Sequence, residues 1–441
     1  MGFENVISIA GLKFKILFYK NGYTPHYAEH IIDPRDGKEK LILADPHNRF
    51  SIIIYDPVKR VIEEEIRVPG DMIPNPHSAH MAIERIPEIG IEPGDILCAD
   101  RAGRWVAIDR DSHKIKWSLN IDGAEWPHDI QLSFDGKGFI VTDYGAGGYG
   151  GFIRKVLFNG STMWSLPIYG AAKISRIFGS TASGVHTNSF GGNYIAAQNG
   201  DFSGVYEVDE NGSIVWQCPR GIGNINNIWL FKPHSAFRLG LAELGGNLTV
   251  VGLEAGGGII AIDYFCRPRW GIMTTYTIYP TIYYKPSRYG FMETTHVFPT
   301  LQGTIGAIDW RGYSGSMIVE LIDIPKTSLS WILAWDLDPG SRGIWLDPPL
   351  EILDYDFITI TLINIGEGSI KWSLYATTQP LLIEDSFDVI WNNISTGLLD
   401  SDKMITIEID NQRKHYTFLR LNIARGVEAI PTKTRIIVTW L

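Results

Sequence analysis

Short runs of Val, Ile and aromatic residues, separated by turns of Gly, Asp and Asn, fill the first three quarters of the chain. They are strand-length, and hardly any shows helical periodicity with caps, so the pattern predicts an all-β protein. The runs recur in order. IQLSFDGKGFIVTDYG reads as a short strand, a glycine turn and a second strand, and FGGNYIAAQNG and RLGLAELGGNLTVVGLEAGG echo it. Next comes a strand ending in an acidic turn, then one bearing tryptophan: VAIDRDSHKIKWSL with Trp117, KVLFNGSTMWSLP with Trp164, YEVDENGSIVWQCP with Trp216 and AIDYFCRPRWGIM with Trp270. The first unit, IIIYDPVKRVIEEEIRVP, has no tryptophan.

A histidine marks each unit: TPHYA (His26), NPHSA (His77), WPHDI (His128), GVHTN (His186), KPHSA (His234) and TTHVF (His296). The gaps, by subtraction, are 51, 51, 58, 48 and 62 residues. Four short strands repeated at this period predict a six-bladed β-propeller over residues 1–325. KFKILFYKNGYTPH reads like KIKWSLNIDGAEWPH, an outermost strand leading into the next blade, while the last unit has room for three strands before Pro325. Residues 1–20 are therefore expected to complete the last blade, leaving no open sheet edge.

After Lys326 the runs alternate, as in FITITLINI and MITIEID, which fits strands half-buried in a two-sheet β-sandwich over 326–441. The segment lacks the spaced cysteine pair of immunoglobulin domains. SLYATT followed by ITIEIDNQRKHYTFLRLNIA resembles β-sandwich modules of phage and viral virion proteins and of some carbohydrate-binding proteins.

Charge and cysteines narrow the partners. A formal net charge of −10 argues against nucleic acid and anionic membranes. No apolar stretch is long enough for a membrane helix. The start, MGFENVISIAGLKFKILFYK, lacks a signal-peptide pattern and is read as mature sequence. Cys98, Cys218 and Cys266 are scattered and signal neither a disulfide framework nor zinc. The Ile-rich, cysteine-poor composition suits a heat-tolerant source.

In a propeller the first strand of each blade lines the channel, so the six histidines are expected as a ring at one mouth. WPHDIQLSFDGKGFIV and VHTNSFGGNYIAAQNGDFSGVYEVDENGSIVW resemble the His-Asp and His-x-Asn segments of arylsulfotransferases, over about residues 114–265. That resemblance implies sulfuryl transfer through a channel histidine, with His128, Asp129, His186 and His234 as candidates and Asn188 orienting. The chain departs from the family: AAQNGDFSG carries Gln198 where the family has an arginine, and Ser235 follows His234. A cation would then have to come from elsewhere, with Arg238 and Arg154 the candidates. Against this stands the plainer reading, preferred here, that a repeated histidine is a folding landmark with its nitrogens satisfied internally. Six imidazoles around a channel are too far apart for one metal; no metal and no cofactor are expected.

Tyr276, Tyr279, Tyr283, Tyr284 and Tyr289 in TTYTIYPTIYYKPSRYGF suit a binding loop or a packed hairpin. GAGGYGG lacks the lysine of a phosphate loop. The preferred function is a non-catalytic structural or recognition protein, the propeller displayed on a virion or cell surface through the sandwich. Its expected partners are other subunits of that assembly and a host-surface glycan or protein, outside the cytoplasm. The alternatives are an arylsulfotransferase-like enzyme and a carbohydrate-binding protein using Trp331, Trp335 and Trp345.

Overall fold

The computed structural model describes residues 6–9, 12–70, 74–145, 150–168, 170–178, 192–199, 204–218, 232–241, 246–254, 258–262, 266, 268–273, 293–310, 315–322, 331–337, 344–345, 350–351, 357–364, 367–377, 392–411, 418–425 and 434–440. These residues form strands and turns, with one 3-10 turn at Pro87–Ile89. The chain is all-β, and most of it is built of four-stranded antiparallel sheets.

Sheet I runs Tyr27–Ile32, Glu39–Asp45, Ser51–Asp56, Val61–Ile66. Sheet II runs Pro76–Met81, Ile96–Asp100, Arg104–Ile108, Ile115–Leu119. Sheet III runs Pro127–Leu132, Gly138–Asp143, Phe152–Leu157, Thr162–Pro167. Sheet IV runs Ala171–Phe178, Gly192–Gln198, Gly204–Val208, Ile214–Cys218. Sheet V runs Pro233–Leu241, Gly246–Leu253, Gly258–Ile262, Pro268–Met273. Sheet VI runs Thr294–Pro299, Ile305–Trp310, Ser316–Leu321 and then returns to the start of the chain, with Leu12–Tyr19 as its fourth strand and Val6–Ile9 outside that. Phe14 pairs with Leu321 and Tyr19 with Met317. Trp117, Trp164, Trp216 and Trp270 all fall in fourth strands.

The first strands touch in cyclic order, each against the next and sheet VI against sheet I. The second and third strands are buried along nearly their whole length, because neighbouring sheets cover both faces. The fourth strands are half-exposed. Apolar clusters form between neighbouring sheets: Ile42, Ile54, Ala79 and Val106 join sheets I and II, and Trp105, Phe139 and Phe152 join II and III.

The C-terminal strands form two layers. Trp331–Leu337, Thr434–Trp440, Phe357–Asn364 and Met404–Asp410 extend sheet V, through a parallel pairing of Gly271–Met273 with Leu333–Trp335. Ile370–Thr377, Phe418–Arg425, Asn392–Leu399 and two short strands make the other layer. The expected alternation is present: Ile358, Ile360 and Leu362 are buried while Thr359 and Thr361 between them are not. They share a core with Trp372, Leu374, Leu421 and Ile423 of the second layer. Trp331 and Trp335 lie in the strand joined to sheet V. The boundary expected near Pro325 lies outside the described residues.

One expectation is corrected. Cys218 at the end of sheet IV and Cys266 beside sheet V meet as a disulfide, leaving Cys98 buried and free. Their separation of 48 residues is close to one repeat, so adjacent sheets bring them side by side.

Candidate functional site

Proline at the start of a first strand costs no ladder bond, since that position needs no N–H donor. In sheets II, III and V a β-bulge follows it, between Pro76 and Ser78, Pro127 and Asp129, and Pro233 and Ser235. The bulged residue is the histidine: His77, His128 and His234. An aspartate at the end of the second strand anchors this corner by accepting from the backbone two residues before the histidine. Asp45 binds Thr24 N at 2.6 Å, Asp100 binds Asn75 N at 2.8 Å and Asp143 binds Trp126 N at 2.8 Å. In sheet VI Asp309 faces Glu293 N at 3.5 Å. The recurring acid in LILAD, ILCAD, FIVTD and GAID was the signal for this anchor, and reading along the histidines alone misses it.

The register of first and second strands assigns equivalent places, and in two sheets a residue other than the expected histidine holds the place. In sheet IV the place belongs to Ala172, and Lys173 follows it; the register breaks between Ala171 and Ile174. His186 and Asn188 lie outside the described residues. In sheet VI the place is held by Thr295, and His296 comes one residue later, the register shifting between Thr294 and His296. The tyrosines 276, 279, 283, 284 and 289 also lie outside the described residues.

The four equivalent histidines pack on one another. Ring centroids are 4.4 Å apart for His26–His77 and for His77–His128, 4.9 Å for His128–His234 and 4.7 Å for His234–His26. All are between 2% and 5% exposed. Burial pushes His26, His77 and His128 well below the ordinary imidazole value and His234 down to about 4; neighbouring cationic groups add to the effect. The expectation that their nitrogens are all satisfied fails in part: His234 Nδ1 donates to Thr295 O at 2.5 Å, but Nδ1 of His26, His77 and His128 is buried without a partner among the described residues. Among the described residues no three His, Cys, Asp or Glu side chains converge as a metal site.

Beneath this layer lies a second one. Lys173, fully buried, donates Nζ to the carbonyl oxygens of His77 and, at 3.1 Å, His128. Burial lowers it to about 7. His296 stacks on Tyr27 with centroids 4.3 Å apart. Asp129 does not serve its neighbour His128. Its Oδ1 accepts from His80 Nε2 at 2.8 Å, and its Oδ2 accepts from Ile174 N at 2.9 Å. His80 Nδ1 sits 3.0 Å from the Tyr27 hydroxyl. Burial opposes the charge on His80, but Asp129 and Glu29 outweigh it and raise His80 to about 9. A protonated His80 donates from both ring nitrogens. His80 was not among the candidates: its partner lies 49 residues away on the next sheet, and no local motif marks it.

Further along the first strands a cavity of about 290 Å³ opens, lined by Glu29, His80, Arg176, Arg238, Phe237 and Phe298 among others. Arg154, the other candidate cation, lies on a third strand against Phe152 and Ser165, away from the histidines. At the opposite end, above the histidine layer, His47, Arg101, Tyr144, Asn199 and Glu254 follow the second strands, and Trp310 ends that of sheet VI. Arg101 lies over Trp126 at 3.9 Å, Tyr144 stacks on His128 at 5.3 Å, and the Tyr144 hydroxyl donates to Asn199 Oδ1 at 2.8 Å.

No family model and no curated protein matches the chain. Among solved structures it is similar to a protein of unknown function from Bacteroides caccae, at 15% identity and TM-score 0.41, over 62% of this chain and 84% of that one. No helix among the described residues is long and apolar enough to cross a membrane.

Proposed function

We propose that the six sheets are the blades of a six-bladed β-propeller, closed by the N-terminal strand, with the C-terminal strands as a β-sandwich fused to its fifth blade. We further propose that the chain is a non-catalytic recognition protein, held in a larger assembly such as a virion or cell surface through the sandwich. The observation that carries this reading is the packing of His26, His77, His128 and His234 on one another. A nucleophilic histidine needs a nitrogen that a donor can reach. Imidazoles 2% to 5% exposed and packed on one another, mostly edge to face, instead resemble a plug across the channel. The side chains above the plug, from Arg101 and Trp126 round to Trp310, are chemically varied, as suits a recognition surface.

The test pairs two assays on the intact protein. Incubation with an aryl sulfate and a phenol acceptor should give no sulfate transfer, and a glycan array should show binding that Arg101→Ala weakens. Transfer by the wild type that His128→Ala abolishes would overturn the reading in favour of the arylsulfotransferase-like alternative.

A further inference from the structure

The cavity at the far end of the first strands holds a group that nothing described so far uses. Arg176 and Arg238 take matching places in the first strands of sheets IV and V, and both line it. The Arg238 side chain is only 3% exposed. Its Nη2 donates to Glu207 Oε2 at 3.1 Å and the guanidinium lies 5.5 Å from the centre of the Trp216 ring, while Nε and Nη1 are buried with no hydrogen-bond partner among the described residues. Glu207 in turn accepts from Asn193 Nδ2 at 2.6 Å, so its charge is shared. Burying guanidinium donors without acceptors is costly, and a folded protein retains such a group where something else completes it. The acids of the cavity do not do so: Glu29, on the first strand of sheet I, is occupied by Met81 N at 3.0 Å and by His80, and Glu84 is exposed. Met81, Leu97, Leu132, Phe237 and Phe298 give the rest of the wall an apolar character.

We propose that this cavity binds a small organic anion with an apolar body, its charged group completing the hydrogen bonds of Arg238 with Arg176 alongside. The volume suits a molecule of about one aromatic ring and its acid group, at the lower end of ordinary ligand sites. The site is separate from the recognition surface above the histidines, so its failure leaves that reading intact.

The experiment is calorimetric titration of the full chain with benzoate and phenyl phosphate, with benzamide as the neutral control. At least one anion should bind and benzamide should not. Arg238→Gln should weaken binding about tenfold or more, as loss of a charged hydrogen bond does. Leu132→Trp, which fills the cavity from the first strand of sheet III, should abolish it, whereas Glu207→Gln should retain it. Binding of neither anion, equal binding of benzamide, or affinity unchanged in a folded Arg238→Gln or Leu132→Trp protein would overturn the proposal.

Discussion

The upper layer of histidines and the His80–Asp129 pair below it are built on the same strands, a few residues apart, yet they hold their imidazoles in opposite states. Above, four rings are buried among one another, and burial keeps them neutral, at His234 against the opposing charge of Glu254. Below, His80 is equally buried but faces Asp129 at 2.8 Å, and the carboxylate reverses the outcome. What differs is the residue that adjacency between sheets brings opposite each ring. The position of a histidine in the repeat therefore does not decide its chemistry; the neighbouring sheet does.

The largest effect should come from separating the lower pair. Asp129→Ala leaves a buried cation without its partner and two backbone donors, Ile130 N and Ile174 N, without an acceptor. A loss of about 3–5 kcal/mol is expected in urea denaturation. A loss below about 1 kcal/mol would mean that the pair is not formed.

The two layers should also lose stability at opposite ends of the pH scale. His234, depressed to about 4, contributes stability that is complete above its unfolded value near 6.5 and is lost as pH falls towards 4. That is worth roughly 3 kcal/mol, and His26, His77 and His128 act in the same direction. His80, raised to about 9, contributes stability present below 6.5 and lost as pH rises through 9. His80→Gln should remove this alkaline loss and leave the acid loss unchanged. A single slope touched by both kinds of substitution would erase the distinction.

Smaller effects sharpen the comparison. Asp143→Ala releases the backbone N–H groups of Glu125, Trp126 and Gly145, and should cost about 1–3 kcal/mol in thermal denaturation. His77→Leu removes a ring whose Nδ1 has no partner, so it should change stability by less than about 1 kcal/mol. A large loss there would mean that the nitrogen is engaged in solution.

The sequence shows the strands, the tryptophan of the fourth strand, the pairing of the N-terminal strand with the last unit and the alternation of Ile358 to Leu362. These follow from local periodicity, which one chain displays. It misleads at sheet IV, where His186 falls near the expected spacing while Ala172 holds the structural place. It is silent on His80, because a contact between residues 80 and 129 depends on which sheets lie side by side. Asp129 drew notice for its position next to His128, but the bulge at that corner turns it towards the neighbouring sheet. The unpartnered nitrogens of Arg238 are likewise invisible without coordinates, since only three-dimensional packing shows that Glu207 meets one of the three.

The most direct test of the upper layer as a closed structural plug is histidine C2 hydrogen–deuterium exchange, followed by mass spectrometry across pH. His26, His77, His128 and His234 should exchange slowly and titrate below the ordinary value, while His80 titrates near 9. Fast exchange at any of those four, with a midpoint near 6.5, would show an accessible imidazole and contradict the account.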